Sequence, residues 1–293
     1  MKNIQGLYPA SATPYKEDGS FAPEEFEKLL KKNINEGASG FFIAGSSAEC
    51  FLLTENERIS IFEAASSFKN ETVIIAHVGA IGTDEAVRYA KAAKTHGAHY
   101  ISATLPFYYG FNDLQISEFF YEIANAAQLQ VMIYNFPGFT GKKLNLESSD
   151  IRALICSNVV CGIKHTDQNL GLLERIGDLN PNISLMNGYD DTMTASLALG
   201  ADGCVGSMLN VMLPHFMKIY YAYNSGERDF ALSLQKKANN IVEAFNNAGL
   251  ISSIKYVLTK QGINTGPPRK PFKPLTQAQM KYIDEVMERY EIK

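Results

Sequence analysis

The sequence lacks the features that mark a membrane, secreted or metal-binding protein. Tryptophan is absent, and the four cysteines include no Cys-x-x-Cys pair. No segment approaches the roughly 20 consecutive apolar residues of a membrane span, and the N-terminus lacks the apolar run of a signal peptide. The five histidines do not have the spacing of a zinc-binding helix. We therefore expect a cytoplasmic protein without a metal or membrane contact, in which the thiols are buried and reduced, namely Cys50, Cys156, Cys161 and Cys204.

Charge of either sign is also modest. The chain has 27 Lys and Arg against 31 Asp and Glu, for a net charge of −4, and the basic residues are scattered. This pattern gives no electrostatic footprint for nucleic acid or anionic lipid. A 46% apolar content, with 17 Phe and 15 Tyr among 293 residues, is enough for a large core. The expected partners are therefore small molecules and other copies of the chain.

Short apolar runs rich in Val, Ile, Tyr and Phe alternate with amphipathic helical stretches, which is the pattern of βα units around a parallel sheet. Eight such runs in a chain of this length favour a closed (β/α)8 barrel over an open sheet. The predicted strands are Leu7 to Thr13, Gly40 to Ala44, Thr72 to Val78, Tyr100 to Thr104, Val131 to Tyr134, Val159 to Lys164, Ile183 to Asn187 and Gly203 to Gly206.

The helices have their own start and stop signals. Thr54 to Glu57 has the pattern of a capping box, and Pro23 suits a first helical turn. Gly-Ala at 37, 97 and 200 predicts left-handed helix ends before the next strand. The barrel is predicted to span residues 1–207. Residues 208–293 form a helical C-terminal extension in the same structural unit, with helices near 214–223, 227–247 and 276–290 and a rigid Pro-rich connector at 266–271.

In such a barrel, reactive groups lie at the C-terminal ends of the strands. Lys164 ends a buried-type strand, and burial would lower its pKa and expose a nucleophilic amine. The alternative is a lysine that reaches into solvent. Tyr134 ends another strand before a Pro-Gly turn, where its phenol could transfer protons. The alternative there is an aromatic plug at the barrel mouth.

Two further strand ends offer ligand-binding groups. Residues 44–49 form a small-residue loop with hydroxyls at Ser46 and Ser47, suited to a carboxylate or phosphate, although a simple strand-to-helix turn uses the same residues. Residues 187–191, together with Ser207, cluster acceptors suited to a polyhydroxy ligand, although an ordinary Asx-rich helix start is the alternative.

In this order, the segments resemble the superfamily of N-acetylneuraminate lyase and dihydrodipicolinate synthase, which are pyruvate-dependent class I aldolases. The resemblance runs over nearly the whole chain. It rests on Gly-Ser-Ser-Ala-Glu at 45, Pro-Phe-Tyr-Tyr at 106, Tyr-Asn-x-Pro-Gly at 134, Gly-Ile-Lys at 162 and Gly-Ala-Asp-Gly at 200.

The resemblance implies roles for particular residues. Lys164 is similar to the lysine that forms a Schiff base with the C2 carbonyl, so that no separate cofactor is needed. Tyr134 is similar to the tyrosine that moves the proton at the cleaved bond, and Ser46 and Ser47 to the loop that binds the α-carboxylate. The resemblance also implies that Ser47 and Tyr108 belong to the catalytic residues. Tyr108 would reach a neighbouring subunit's site, which implies a homotetramer built from dimers.

The branch within the superfamily is indicated by three features. The synthase branch normally has arginine where this chain has Phe139, and an apolar ring cannot replace a bidentate guanidinium. The segment 105–111 and the segment 187–190 look like those of the sialic acid branch. The resemblance then implies contacts with the sugar tail from Thr166, Gly188, Asp190, Asp191 and Ser207.

We therefore expect an enzyme, a carbon–carbon lyase that cleaves N-acetylneuraminate to N-acetylmannosamine and pyruvate. Asp191 stands where that branch has Glu, Ala48 replaces Gly, and residues 268–271 look more like the other branches. A shorter acid at 191 could select another substrate. A 2-keto-3-deoxy sugar acid aldolase is the first alternative, and 4-hydroxy-tetrahydrodipicolinate synthase the second. A non-catalytic pyruvate-binding or sugar-acid-binding barrel is a hypothesis from another class.

Overall fold

A computed structural model describes residues 4–292 of the chain. Its eight strands are all parallel and follow the sheet order β1-β8-β7-β6-β5-β4-β3-β2. They are β1 (Gly6–Pro9), β2 (Gly40–Ile43), β3 (Val73–His77), β4 (Tyr100–Thr104), β5 (Val131–Asn135), β6 (Val160–His165), β7 (Ser184–Asn187) and β8 (Gly203–Gly206).

The sheet curls so that its first and last members meet. Ala10, just beyond β1, forms a parallel bridge with Phe42 of β2. The N–H of Ser11 donates to the Phe42 carbonyl at 3.0 Å, and the N–H of Ser39 donates to the Leu7 carbonyl at 2.9 Å. The predicted (β/α)8 barrel is therefore confirmed.

Helices lie between the strands and continue after the last one. The helices are α1 (Pro23–Asn35), α2 (Glu55–Ala65), α3 (Thr83–Thr95), α4 (Asp113–Ala127), α5 (Pro137–Thr140), α6 (Ser149–Ile155), α7 (Leu170–Leu179), α8 (Met193–Ala198), α9 (Leu209–Asn224), α10 (Arg228–Ala248), α11 (Leu250–Lys260) and α12 (Gln277–Arg289). Short 3-10 turns at Ser46–Ala48 and Cys50–Leu52 follow β2, and another at Asp190–Thr192 follows β7. No helix within residues 4–292 has the length and apolar character that crossing a membrane requires.

The helix signals in the sequence act as expected. Thr54 caps α2: its hydroxyl accepts from the N–H of Glu57 at 3.3 Å, and the Glu57 carboxylate accepts from the N–H of Thr54 at 2.8 Å. Pro23 occupies the first turn of α1. The three predicted closing glycines have φ angles of +99°, +80° and +89°, which an L side chain rarely adopts, and they are Gly37, Gly97 and Gly200.

Apolar side chains form one layer inside the barrel and another between the strands and the surrounding helices. Leu7 of β1 and Cys204 of β8 belong to a further cluster with α9 to α12, so the C-terminal helices share a core with the barrel. The predicted boundary at residue 207 stays a prediction, because these contacts join its two sides.

Some predicted details were wrong. β1 ends at Pro9, four residues earlier than predicted, because the chain beyond Ala10 leaves the sheet. α11 was not predicted; it begins directly after Gly249, where φ is +106° and α10 has ended. Cys156 is exposed because it caps the carboxyl end of α6, and Cys161, near the amino end of β6, is only partly buried. The other strand and helix bounds differ from prediction by a few residues at most.

Candidate active site

Lys164 lies near the carboxyl end of β6, inside the barrel mouth. It is in register with Tyr134 on the neighbouring β5, so the two side chains emerge at the same height. Its Nζ atom lies 4.1 Å from the centroid of the Phe42 ring and 4.1 Å from that of the Tyr134 ring. Only 3% of Lys164 is exposed, so the amine is enclosed by aromatic faces and does not reach bulk solvent.

This burial changes the acid–base state of the amine. Loss of hydration lowers the pKa of Lys164 from 10.5 to about 7, and Cys204 and Asp190 act in the opposite direction. A lysine with that pKa is substantially unprotonated at neutral pH. The amine is therefore available as a nucleophile.

The Tyr134 phenol lies beside the amine in the same enclosed space. Burial raises the pKa of Tyr134 well above 10, and the nearby hydroxyls of Ser46 and Thr166 partly offset that effect. The phenol is therefore protonated in the resting site. Its two neighbouring hydroxyls can stabilise the negative charge that it would carry after donating its proton.

The loop 44–49, which connects β2 to the turns before α2, presents the two candidate carboxylate-binding hydroxyls. Ser46 is half-buried, and Ser47 is buried with its Oγ atom 2.6 Å from that of Ser207. Ala44 and Glu49, at the two ends of the loop, have φ angles of +53° and +60°. The loop is thus held in a backbone conformation that residues other than glycine rarely adopt.

Asp190 lies in the 3-10 turn that follows β7 and contacts Ser207, just beyond β8. Its Oδ2 atom accepts hydrogen bonds from the N–H groups of Ser207 and Met208, each at 3.2 Å, and its Oδ1 atom has no protein partner. Burial raises the pKa of Asp190 to about 7. Only glycine fits at position 206, because a Cβ there would lie 1.9 Å from Asp190 Oδ1. Gly188 is equally constrained, since its Cβ would lie 1.7 Å from the Thr166 hydroxyl.

These groups line one cavity of about 480 Å³, a size typical of small-molecule sites. The structure brings together nearly all the residues predicted for the site. Those that line this cavity are Ser46, Ser47, Tyr134, Lys164, Thr166, Gly188, Asp190, Asp191 and Ser207. Lys164 is the one basic side chain among the described residues that line it.

Tyr108 is the exception. It does not line the cavity, 82% of its side chain is exposed, and its ring packs edge-on against Tyr109 with centroids 5.0 Å apart. Its φ is +76°, in the left-handed region. A catalytic role for Tyr108 in a neighbouring subunit stays a prediction.

Other lining residues were not predicted from the sequence. Phe136 and Phe139 stack at the mouth with ring centroids 4.2 Å apart, and α10, α11 and the connector before α12 complete the far wall. Tyr189 lies in the predicted segment 187–191, and Phe139 is the position compared with the synthase arginine. The unpredicted residues are Phe136, Gln168, Val242, Asn246, Gly249, Leu250, Ile251, Ser252 and Phe272. The helical residues carried no local signal, because Val, Leu and Ile on a helix usually indicate core.

His77 supports the site from β3. Its Nδ1 atom lies 2.8 Å from a guanidinium nitrogen of the buried Arg58, which can only donate, so Nδ1 is an acceptor. Burial and the nearby Arg58 and Lys164 charges lower the pKa of His77 well below 6.5. The ring lies 5.9 Å from that of Tyr134. A neutral imidazole therefore packs behind the phenol without adding positive charge near Lys164.

Comparison with known proteins gives the family. The sequence matches the Dihydrodipicolinate synthetase family over residues 3–289. CdNal from Clostridium difficile, solved in complex with mannosamine, shares 30% identity at a TM-score of 0.94, over 98% of this chain and 99% of that chain. N-acetylneuraminate lyase from Fusobacterium nucleatum shares 29% identity at a TM-score of 0.92, over 98% of this chain and 99% of that chain.

The fold extends to proteins with other names. A dihydrodipicolinate synthase from Bacillus anthracis has a TM-score of 0.93 at 22% identity, over 98% of this chain and 99% of that chain. At that identity the likeness concerns the fold alone. From the family match over nearly the whole sequence, the chain belongs to the dihydrodipicolinate synthetase family of pyruvate aldolases, and it is a carbon–carbon lyase.

Proposed function

We propose that the protein cleaves N-acetylneuraminate to N-acetylmannosamine and pyruvate through a Schiff base on Lys164. The observation that carries the proposal is the enclosed amine of Lys164, with a pKa of about 7, at the same height as the Tyr134 phenol in one ligand-sized cavity. No other described residue of the cavity offers an unprotonated nitrogen nucleophile.

The chemistry follows from that amine. It adds to the C2 ketone of the open-chain sugar acid, and loss of water gives a protonated imine. The electrons of the C3–C4 bond then move into the imine as the C4 hydroxyl loses its proton, which releases the aldehyde and leaves a neutral enamine. Protonation at C3 and hydrolysis by water release pyruvate and restore the lysine.

We assign to Tyr134 the role of the base that takes the proton from the C4 hydroxyl. Its resting phenol is protonated and gives that proton to the C2 hydroxyl, which leaves as water. The positive charge of the imine near the ring favours the phenolate that remains. The Ser46 and Thr166 hydroxyls favour it as well. Schiff-base formation therefore prepares the base that the next step requires.

The remaining groups suit the two ends of the substrate. Ser46 and Ser47 offer hydroxyls for the α-carboxylate beside Lys164. Asp190 and Asp191 each have a buried Oδ1 atom without a protein partner, which can accept from sugar hydroxyls. Phe139 supplies an aromatic face where a carboxylate-bearing aldehyde would need a cation, which argues against 4-hydroxy-tetrahydrodipicolinate synthesis.

Two observations support N-acetylneuraminate as the substrate. The compared structures at 29% identity or above are CdNal, in complex with mannosamine, and a protein named N-acetylneuraminate lyase. The acceptor-rich, cation-poor wall of the cavity suits a neutral polyhydroxy aldehyde. A 2-keto-3-deoxy sugar acid presents the same carboxylate and ketone with a shorter tail, and it is the alternative that the assay must separate.

Two experiments test the proposal. Incubation with labelled pyruvate and cyanoborohydride should attach one label to Lys164, located by peptide mass mapping, and Lys164→Met should abolish it. A coupled pyruvate-release assay should then show turnover of N-acetylneuraminate and much slower turnover of 2-keto-3-deoxygluconate. Labelling with the reverse preference would keep the Schiff-base chemistry and reject the substrate. Absence of labelling would favour a binding protein.

Replacing Tyr134 separates its role from that of the lysine. Tyr134→Phe keeps the ring against Lys164 but removes the phenol, so we expect kcat to fall by about 10²- to 10⁴-fold. Cyanoborohydride labelling of Lys164 should persist. A variant that retains nearly full kcat would remove Tyr134 from the proton transfer.

We also propose that the enzyme works in the cytoplasm as a homotetramer. The support is the exposed aromatic segment of Tyr108 and Tyr109, of which 82% and 60% are exposed on a single chain. Light scattering after gel filtration measures the assembly. Tyr108→Ala should shift the mass towards the monomer. A wild-type mass equal to that of a single chain would reject this assembly.

A further inference from the structure

A buried ion pair lies directly behind the loop that presents Ser46 and Ser47. Glu49 ends this loop, and its Oε1 atom lies 3.0 Å from the Nζ atom of Lys255 on α11. At most 2% of either side chain is exposed. Neither residue lines the 480 Å³ cavity, so the pair does not touch the ligand space around Lys164.

Further hydrogen bonds tie this pair to both sides of the loop. The other Glu49 oxygen accepts from the N–H of Arg269 at 2.6 Å. Lys255 donates to the Thr13 carbonyl at 2.7 Å, and the Thr13 hydroxyl donates to the Ala48 carbonyl at 3.2 Å. The two residues that follow Ser47 are therefore held by the segment after β1, by α11 and by the connector before α12.

The backbone of the loop needs such support. Glu49 has a φ of +60° and Ala44 a φ of +53°, although both carry a Cβ atom. Such conformations persist where surrounding contacts over-determine them, and they concentrate at ligand clamps. The Lys255 ammonium also lies 4.0 Å from the centroid of the Tyr15 ring, so its position is fixed on several sides.

We propose that Lys255 and Glu49 are positioning residues for carboxylate recognition: their ion pair holds the loop so that the Ser46 and Ser47 hydroxyls face the substrate carboxylate. The helical extension thereby contributes to the chemistry at the barrel mouth without contacting the ligand. This inference rests on the proposed function, because it takes the loop to be the carboxylate site.

Two carbonyl probes test it. Pyruvate has the carboxylate, and acetone has the same methyl ketone without one. The initial rate of Lys164 labelling in cyanoborohydride is measured for each by peptide mass mapping. In Lys255→Met, a misplaced loop should reduce the ratio of pyruvate labelling to acetone labelling by about tenfold or more. The KM for the sugar acid should rise by a larger factor than kcat falls.

A second variant and two controls keep the test decisive. Glu49→Gln retains the size of the side chain and an acceptor for the Arg269 N–H, so it should fold and lower the ratio in the same direction. Lys260 is on α11, like Lys255, and forms an exposed ion pair with Asp284 of α12. Lys260→Met removes this pair and should leave the ratio unchanged. Leu258→Ala, a buried change on α11, reports loss of stability alone.

The outcomes are separable. An unchanged ratio in Lys255→Met and Glu49→Gln, or an equal fall for both probes as in Leu258→Ala, overturns the positioning role. If wild-type Lys164 labels with neither probe, the proposed function itself fails and this inference fails with it. A pyruvate-selective loss in both variants, absent from Lys260→Met, supports it.

Discussion

Two of the lysines within residues 4–292 are almost completely buried, and their surroundings differ. Lys164 is 3% exposed and lies against the rings of Phe42 and Tyr134, with no ion-pair partner in the part of the chain that the structure describes. Lys255 is 2% exposed, forms an ion pair with Glu49 and donates to the Thr13 carbonyl. One amine faces a cavity, and the other is enclosed where the extension meets the barrel.

The difference separates two uses of burial. Burial lowers the pKa of Lys164 to about 7, and at Lys255 burial opposed by Glu49 gives about 8. An ammonium without a bonded counterion is costly, which favours the neutral nucleophile. An ammonium with a bonded carboxylate can stay charged and hold its neighbours in place. The two lysines thus differ in whether a carboxylate is bonded to the buried amine, and the reactivity proposed for Lys164 rests on the missing partner as well as on burial.

The largest expected effect comes from removing the unpaired amine. Lys164→Met should eliminate pyruvate release, a loss of at least about 10⁴-fold, because no other group can form the imine. It should also stabilise the fold near about pH 6, since a pKa lowered from 10.5 to about 7 corresponds to about 5 kcal/mol of unfavourable charge burial. Urea unfolding of both proteins measures the difference.

The stability difference between Lys164→Met and the wild type should depend on pH in a defined direction. Between the folded pKa of about 7 and the unfolded value of 10.5, the unfolded lysine binds more protons than the folded one. Wild-type stability from this group therefore rises with pH through that window, and the advantage of Lys164→Met should shrink. If the stability difference between the two proteins were constant at all pH values, the pKa of Lys164 would not be lowered in the folded state.

Breaking the paired lysine should have the opposite effect on stability. Lys255→Met or Glu49→Gln leaves one charge buried without its partner, which should cost about 3–5 kcal/mol. The double variant should cost less than the sum, as urea unfolding of the cycle would show. The exposed pair of Lys260 and Asp284 is the control, with an expected cost of about 0–1 kcal/mol for Lys260→Met. If breaking the buried pair and breaking the exposed pair cost the same unfolding free energy, the buried pair would have no special role in stability.

A smaller effect concerns the acid limb of the pH profile. The value of kcat/KM should fall below about pH 7 as the Lys164 amine gains a proton. The carboxylate of Asp190, whose own pKa is about 7, raises the Lys164 pKa when it is ionised, so Asp190→Asn should move the limb to lower pH by less than about one unit. Initial rates of pyruvate release across the range give both values. A shift to higher pH would contradict the assigned electrostatics.

The smallest effect lies outside both lysine environments. Thr54→Ala removes the cap of α2 and should cost about 1 kcal/mol of unfolding free energy. Lys164 labelling by pyruvate should be unaffected in the folded variant. A loss of labelling would show that α2 helps to hold the loop after β2.

Much of the candidate site could be predicted because each part is encoded locally. Lys164 and Tyr134 end apolar strands, and in parallel strands of a barrel the carboxyl ends meet at one mouth. Their register could not be predicted, since it depends on how β5 and β6 pair. Phe272 and Ile251 of the cavity wall were missed because they carry no signal until the extension folds over the mouth.

The sequence by itself determined the alternation of strands and helices, the cap of α2, the closing glycines and the chemistry at the strand ends, because these depend on neighbours within a few positions. Only the tertiary structure decided which polar groups became partners. Thr13 and Lys255 are separated by 242 positions, yet the folded chain joins them by a hydrogen bond. The same closure bonded Lys255 to Glu49 but gave Lys164 no carboxylate partner among the described residues. Because an unpaired buried charge is costly, the two lysines then differ in which protonation state the fold favours.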